Sequence, residues 1–132
     1  MLKRLHLYGG ILIAIIFILT GQYMHHNYDH LKDMELMNRA LFRAGHLYIL
    51  LFGLVNVSLG SYFKISQNQW VKTFQILGSI TILLSSVLII YAFFKELPTE
   101  SIERPLTRIS LYIILFGVSV HGLIALIIKK AS

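Results

Sequence analysis

The histidines of this chain have the widest chemical reach of its residues, and the six fall at His6, His25, His26, His30, His46 and His121. A neutral imidazole is a metal ligand, and two imidazoles opposed on neighbouring helices can hold a b-type haem inside a four-helix bundle. At helical spacing His6 opens a stripe with Gly10, Ile13, Phe17, Thr20 and Met24, with Gly9 and Gly21 on its margins. His121 shares its face with Ser110, Ile114, Gly117 and Ala125. Glycines beside a histidine on a packed face leave space for a flat ring. Arginine offers a planar, bidentate partner for a propionate. The haem reading therefore takes His6, His46 and His121 as ligands and Arg43 and Arg108 as propionate partners, in an electron-transfer protein that exchanges electrons with quinone. The plainer reading makes His6 interfacial, gives His121 a hydrogen bond to a neighbouring helix, and lets the glycines serve helix contact alone.

Depth restricts the pairings. At a rise of about 1.5 Å per residue, His121 lies roughly 12 Å inside the Lys129 end of its helix. On the same rise His46 and His121 differ in depth by about 15 Å, too far for one iron, and His6 and His121 are mismatched by about 9 Å. A second haem on the outer side would need His46 with His25 or His26.

Between the first two apolar runs, Met24-His25-His26 with His30, Met34 and Met37 gathers imidazoles and thioethers, ligands suited to copper. His26 and His30 share a face if that part is helical. Juxtamembrane loops also collect such residues without binding anything, so His25, His26 and His30 are a candidate metal set with no signature spacing. Cysteine is absent, which excludes disulfides, iron–sulfur clusters and thiolate metal sites. No nucleophile elbow surrounds a serine, no glycine-rich phosphate loop occurs, and no catalytic residue can be named.

The elements that must position these groups are apolar. The chain has 132 residues, 56% hydrophobic and 14% charged, with a mean hydropathy of +0.70, well beyond a soluble domain. The pattern predicts an all-α fold, an integral membrane four-helix bundle in one domain over 1–132, with spans at about 5–24, 39–63, 70–94 and 105–128. The first run reads as a retained helix, because it ends in Gly21-Gln22-Tyr23 without a small-x-small cleavage pattern. Residues 25–38 form a polar loop, partly helical. Trp70 sits where an aromatic interfacial anchor would, Pro98 stops the third helix and Pro105 starts the fourth. The net charge of +6 forms no stripe with aromatic interleaving, which argues against nucleic acid.

The second span carries Arg39, Arg43, His46, Leu50, Gly53, Val57 and Gly60 on one face, with Asn56 on its flank. Ionisable groups against lipid are costly, so this face should turn inward. The third span lines up Gln75, Gly78, Ser79, Ser85 and Ser86, the small and hydroxyl residues that close packing in lipid uses. Lys3, Arg4, Lys64, Lys72, Lys129 and Lys130 flank the spans on one side against Lys32, Lys95 and Arg104 on the other, which puts both termini in the cytoplasm. Counting the helix-embedded Arg39, Arg43 and Arg108 as well evens the tally.

A faint repeat relates Arg39-Ala-Leu-Phe-Arg43 and Leu47–Gly53 to Arg104-Pro-Leu-Thr-Arg108 and Leu111–Gly117, a two-plus-two arrangement. A compact chain of this kind suits the bacterial inner membrane. Three classes follow. The chain is a haem b electron-transfer protein, a non-catalytic membrane subunit, assembly partner or homodimer, or a binder of lipid, quinone or copper at the outer Arg/His cluster.

Overall fold

The computed structural model describes residues 1–97 and 102–130, without the side chains of 129 and 130. It is all-helical, with α1 (Leu2–Tyr28), α2 (Leu36–Tyr62), α3 (Gln69–Glu96) and α4 (Pro105–Lys130). All four are long and apolar enough to cross a membrane. Residues 5–28, 44–63, 73–94 and 109–128 hold no Asp, Glu, Lys or Arg. A helix satisfies every backbone group within such a stretch, which lipid requires. Each expected span falls on one helix. α1 runs about a turn further than expected, carrying His25 and His26 out of the loop. Pro98 lies outside the described residues.

α1 packs along α2 and α4 along α3, as two antiparallel hairpins, while α2 and α3 meet in the middle and α1 also touches α3. The α1–α2 seam is backbone on backbone: a Cβ on Gly10 would stand 2.6 Å from the Val57 nitrogen, and one on Gly60 would enter the Leu7 main chain. Side chains fill the rest. Ile13, Phe42, Ile49, Phe93 and Leu97 close one half of the interior over Leu31, and Phe52, Ile82, Ile89 and Ile114 close the other. Polarity runs opposite to that of a water-soluble bundle. His6, Asn56, Ser79, Ser85 and Ser110 are fully buried, whereas Ile18, Leu54, Leu84 and Leu115 are exposed.

The hairpins are staggered along their axes. After Tyr62 the chain leaves α2 in extended form at Phe63 and runs back beside α3, where the Gln75 amide donates to the Lys64 carbonyl at 3.2 Å and accepts from the Ser66 N–H at 2.9 Å. α3 starts below that point, capped by the Asn68 side chain on the Trp70 N–H at 3.0 Å. Trp70 itself is exposed, as an interfacial anchor would be. The first turns of α3 and the last of α4 therefore extend past the end of α2.

At the opposite end α1 stops in a left-handed turn. Asp29, His30 and Leu31 have φ of 38°, 57° and 64°, a conformation costing a non-glycine residue roughly 1–2 kcal/mol. Burial of Leu31 at 2% exposure holds the turn in place, and Arg39 ties the loop down by donating to the carbonyls of Lys32 at 2.8 Å and Met34 at 3.1 Å. Because His30 is exposed, its replacement by glycine removes strain without removing packing. His30→Gly is expected to leave stability unchanged or raise it by up to about 1 kcal/mol, read as the midpoint of thermal unfolding in detergent, and Leu31→Ala to lower it by about 2–5 kcal/mol.

Candidate functional site

His6 is among the most deeply buried polar groups. Its ring is wholly buried, and Nδ1 lies 2.7 Å from Asn56 Oδ1. The Asn56 amide nitrogen donates to the Phe52 carbonyl at 2.8 Å and to Ser86 Oγ at 2.8 Å, and Ser86 in turn donates to the Ile82 carbonyl at 2.7 Å. That chain fixes every role in it. Oδ1 can only accept, so Nδ1 carries a proton, and in the neutral ring Nε2 carries a lone pair. Nε2 is buried without a hydrogen-bond partner among the described residues. Such an orphan in a native interior needs a reason.

His121 reaches the same level from α4. Its Nε2 lies 3.2 Å from Ser79 Oγ, and Phe63 meets the ring edge-on with centroids 5.0 Å apart. Gly9, one turn beyond His6, packs on Leu83, one turn beyond Ser79. The depth mismatch expected from flush helices is thus removed by the stagger of the hairpins. Beside His121 a cleft of about 490 Å³ opens between the ends of α2 and α4, with Phe63, Lys64 and Gln75 on its walls.

The glycines of these faces do not leave an open slot. A Cβ on Gly117 would lie 2.8 Å from the Gly78 carbonyl, one on Gly78 would lie 3.1 Å from the His121 ring, and Gly10 is closed by Val57. They bring main chains together. Ala125, expected beside His121 on the packed face, is exposed and lines the cleft.

His46 occupies the other end. Nδ1 lies 3.0 Å from Thr20 Oγ1, and since that hydroxyl donates to the Phe17 carbonyl at 2.9 Å, the imidazole is the donor. The ring stacks on Phe17 with centroids 4.1 Å apart and planes 16° apart, over the space left by Gly21. The pairing of His46 with His25 or His26 is not formed. Those two are exposed, and His25 packs instead on His26 and His30 with ring centroids 4.9 Å and 3.9 Å apart. It is His25 that meets His30, because the left-handed turn ends the helix before His26 and His30 can share a face. Among the described residues no three ligating side chains form a group able to hold a metal ion.

The arginines are likewise separated. Arg43 is exposed on α2, against the inward face expected for it, and Arg108 is exposed on α4. Neither approaches His6 or His121, which lie toward the opposite ends of their helices. Arg108 does line a second cavity, of about 480 Å³, with Arg104, Tyr48 and Tyr112 between the N-terminal ends of α2 and α4. Sequence reasoning passed over Glu96, which is buried at 6% exposure and caps α4 by accepting from the N–H of Leu106 and from the Thr107 N–H at 3.1 Å. Its signal is the Glu placed before a Pro-started helix, legible only once the chain folds back.

Fold and burial together define a class: an all-helical protein with four helices able to cross a membrane, apolar outside and hydrogen-bonded within. Comparison with protein-family models, with curated proteins and with solved structures finds no match for this chain.

Proposed function

We propose that this chain is an integral membrane protein that holds a b-type haem between His6 and His121 and passes electrons to or from a membrane quinone. The observation that carries this reading is His6, a fully buried imidazole with a bare Nε2 and an Nδ1–H pinned by Asn56. Ligating histidines are held in this way, because a hydrogen bond on the other nitrogen fixes tautomer and ring orientation. The donors are two imidazoles at one level, from stretches of α1 and α4 that hold no carboxylate. Lys64, on the lip of the inner cleft, would pair with a propionate. When bound, the haem supplies one-electron redox chemistry. The chain contributes orientation through the Asn56–Ser86 relay and exclusion of water by Phe52 and Ile82. Loading the ring means parting α4 from its neighbours at the cleft, since the adjacent glycine contacts are closed. We place the protein in a bacterial inner membrane with both termini cytoplasmic, and read its two hairpins as copies of one unit.

A specific observation favours a second reading, a non-catalytic membrane subunit or assembly partner. Gly10, Gly78 and Gly117 are all filled by neighbouring helices, which helix association requires and ring binding does not.

Absorbance separates the two. Protein purified in detergent from haem-replete cells is expected to show a Soret band and a sharp reduced α-band, both lost in His6→Ala and kept in His25→Ala. A colourless preparation after haem supplementation overturns the haem reading and leaves the subunit.

A further inference from the structure

The outer cavity of about 480 Å³ lies far from the imidazole pair and stands independently of it. One wall comes from the first turns of α4, where Arg104 and Arg108 are one helical turn apart, joined by the Arg108 N–H bond to the Arg104 carbonyl at 2.9 Å. The facing wall is α2, with Leu41 and Tyr48. Gly45 keeps that wall low, with Leu97 lying across it. Charge is unevenly spent. The carboxylate of Glu96 caps α4 through Leu106 and Thr107, and it also acts on Arg104, whose guanidinium burial pushes down from its ordinary range while Glu96 works the other way. No carboxylate pairs with Arg108 among the described residues. An exposed guanidinium therefore stands at the lip of a cavity whose remaining surface is mostly aliphatic and aromatic, with the carboxylate of Glu103 also on its wall, and which opens onto the apolar face of α4 at Tyr112 and Leu115.

We propose that this cavity is a binding site for an anionic phospholipid, with the phosphate on Arg108 and an acyl chain along Leu111 and Tyr112. Guanidinium and phosphate match bidentately, and that pairing is stronger than neutral hydrogen bonds. Lipid is favoured over a soluble anion because the cavity is amphiphilic and its side faces the apolar surface.

The test is native mass spectrometry of the full chain released from nanodiscs of phosphatidylglycerol or phosphatidylcholine. Phosphatidylglycerol is expected to stay bound to the wild type, to be retained about tenfold less by Arg108→Gln, and to be unaffected by Arg43→Gln, a control arginine outside the cavity. Inorganic phosphate alone is expected to leave no adduct. Equal retention of both lipids, equal loss in Arg43→Gln and Arg108→Gln, or an Arg108-dependent adduct of phosphate or of a short-chain quinone without one of phosphatidylglycerol would overturn the proposal. Helicity of Arg108→Gln, measured in parallel, is expected to match the wild type.

Discussion

Gly60→Ala is expected to loosen the α1–α2 hairpin more than any other single methyl group added to this chain. The new Cβ would enter the main chain at Leu7, and a backbone cannot step aside as a flexible side chain can. Overpacking of this kind costs about 3 kcal/mol, while alanine returns at most about 1 kcal/mol of helix propensity. The net loss is therefore about 2 kcal/mol. It weighs heavily because lipid offers no hydrophobic force to press helices together, so contact distance carries the association. Gly10→Ala, facing the Val57 nitrogen at 2.6 Å, should behave alike, whereas Gly122 has nothing within 4 Å and its alanine variant should lie within about 0.5 kcal/mol of the wild type or above it. Chemical unfolding in mixed micelles, followed by circular dichroism, checks all three. Equal midpoints for Gly60→Ala and Gly122→Ala would refute the seam.

Asn56→Leu is the second. It keeps the branched shape of the side chain at the meeting point of α1, α2 and α3 but strands the His6 Nδ1–H and removes the donor that Ser86 Oγ accepts from. A buried donor without its partner costs about 1–3 kcal/mol, although interhelical hydrogen bonds in membranes average nearer 0.6 kcal/mol. The loss in stability should fall between these, at about 1 kcal/mol. The larger effect is on haem, since removing an orienting partner of a ligating histidine typically costs 10–100-fold in affinity, a range we expect for haem titrated into the purified variant as about 30-fold. Ser85→Ala, whose hydroxyl donates only to the carbonyl of Ile82 within its own helix, should titrate like the wild type. Were Asn56→Leu to bind haem as tightly as the wild type, the Asn56–His6 bond would have no part in ligation.

Much of this architecture is legible in the sequence because lipid leaves a chain few options. Four charge-free runs can only be helices, and the small-residue stripes of α1 and α3 point to their packed faces: His6, Gly10, Ile13 and Thr20 are buried on α1, and Gln75, Gly78, Ser79, Ser85 and Ser86 on α3. α2 is less legible. Its polar stripe marks the side toward α1, through His46, Gly53 and Gly60, but α2 sits in the middle and also buries Phe42, Gly45, Ile49 and Phe52. Periodicity finds one face of a helix, and a central helix has two. Arg43 falls outside both.

The buried histidines are legible by residue type and not by level. Counting residues from helix ends assumes that neighbouring helices start flush, and the return of the chain from Phe63 to Ser66 along α3 breaks that assumption. The same stagger brings His121 up to His6. The tautomer of His6 could not be read from the sequence either, because it depends on an amide 50 residues away in the chain. Likewise the left-handed turn at Asp29, His30 and Leu31 contains no glycine to announce it, and with it went the shared face of His26 and His30.

Electron paramagnetic resonance of the ferric, haem-loaded protein tests the His6–His121 pairing most directly. Two axial imidazoles give a low-spin signal in the wild type, and removal of either ligand in His6→Ala or His121→Ala leaves a high-spin one. A wild type that retains no haem, or a low-spin signal that survives in both variants, would contradict it.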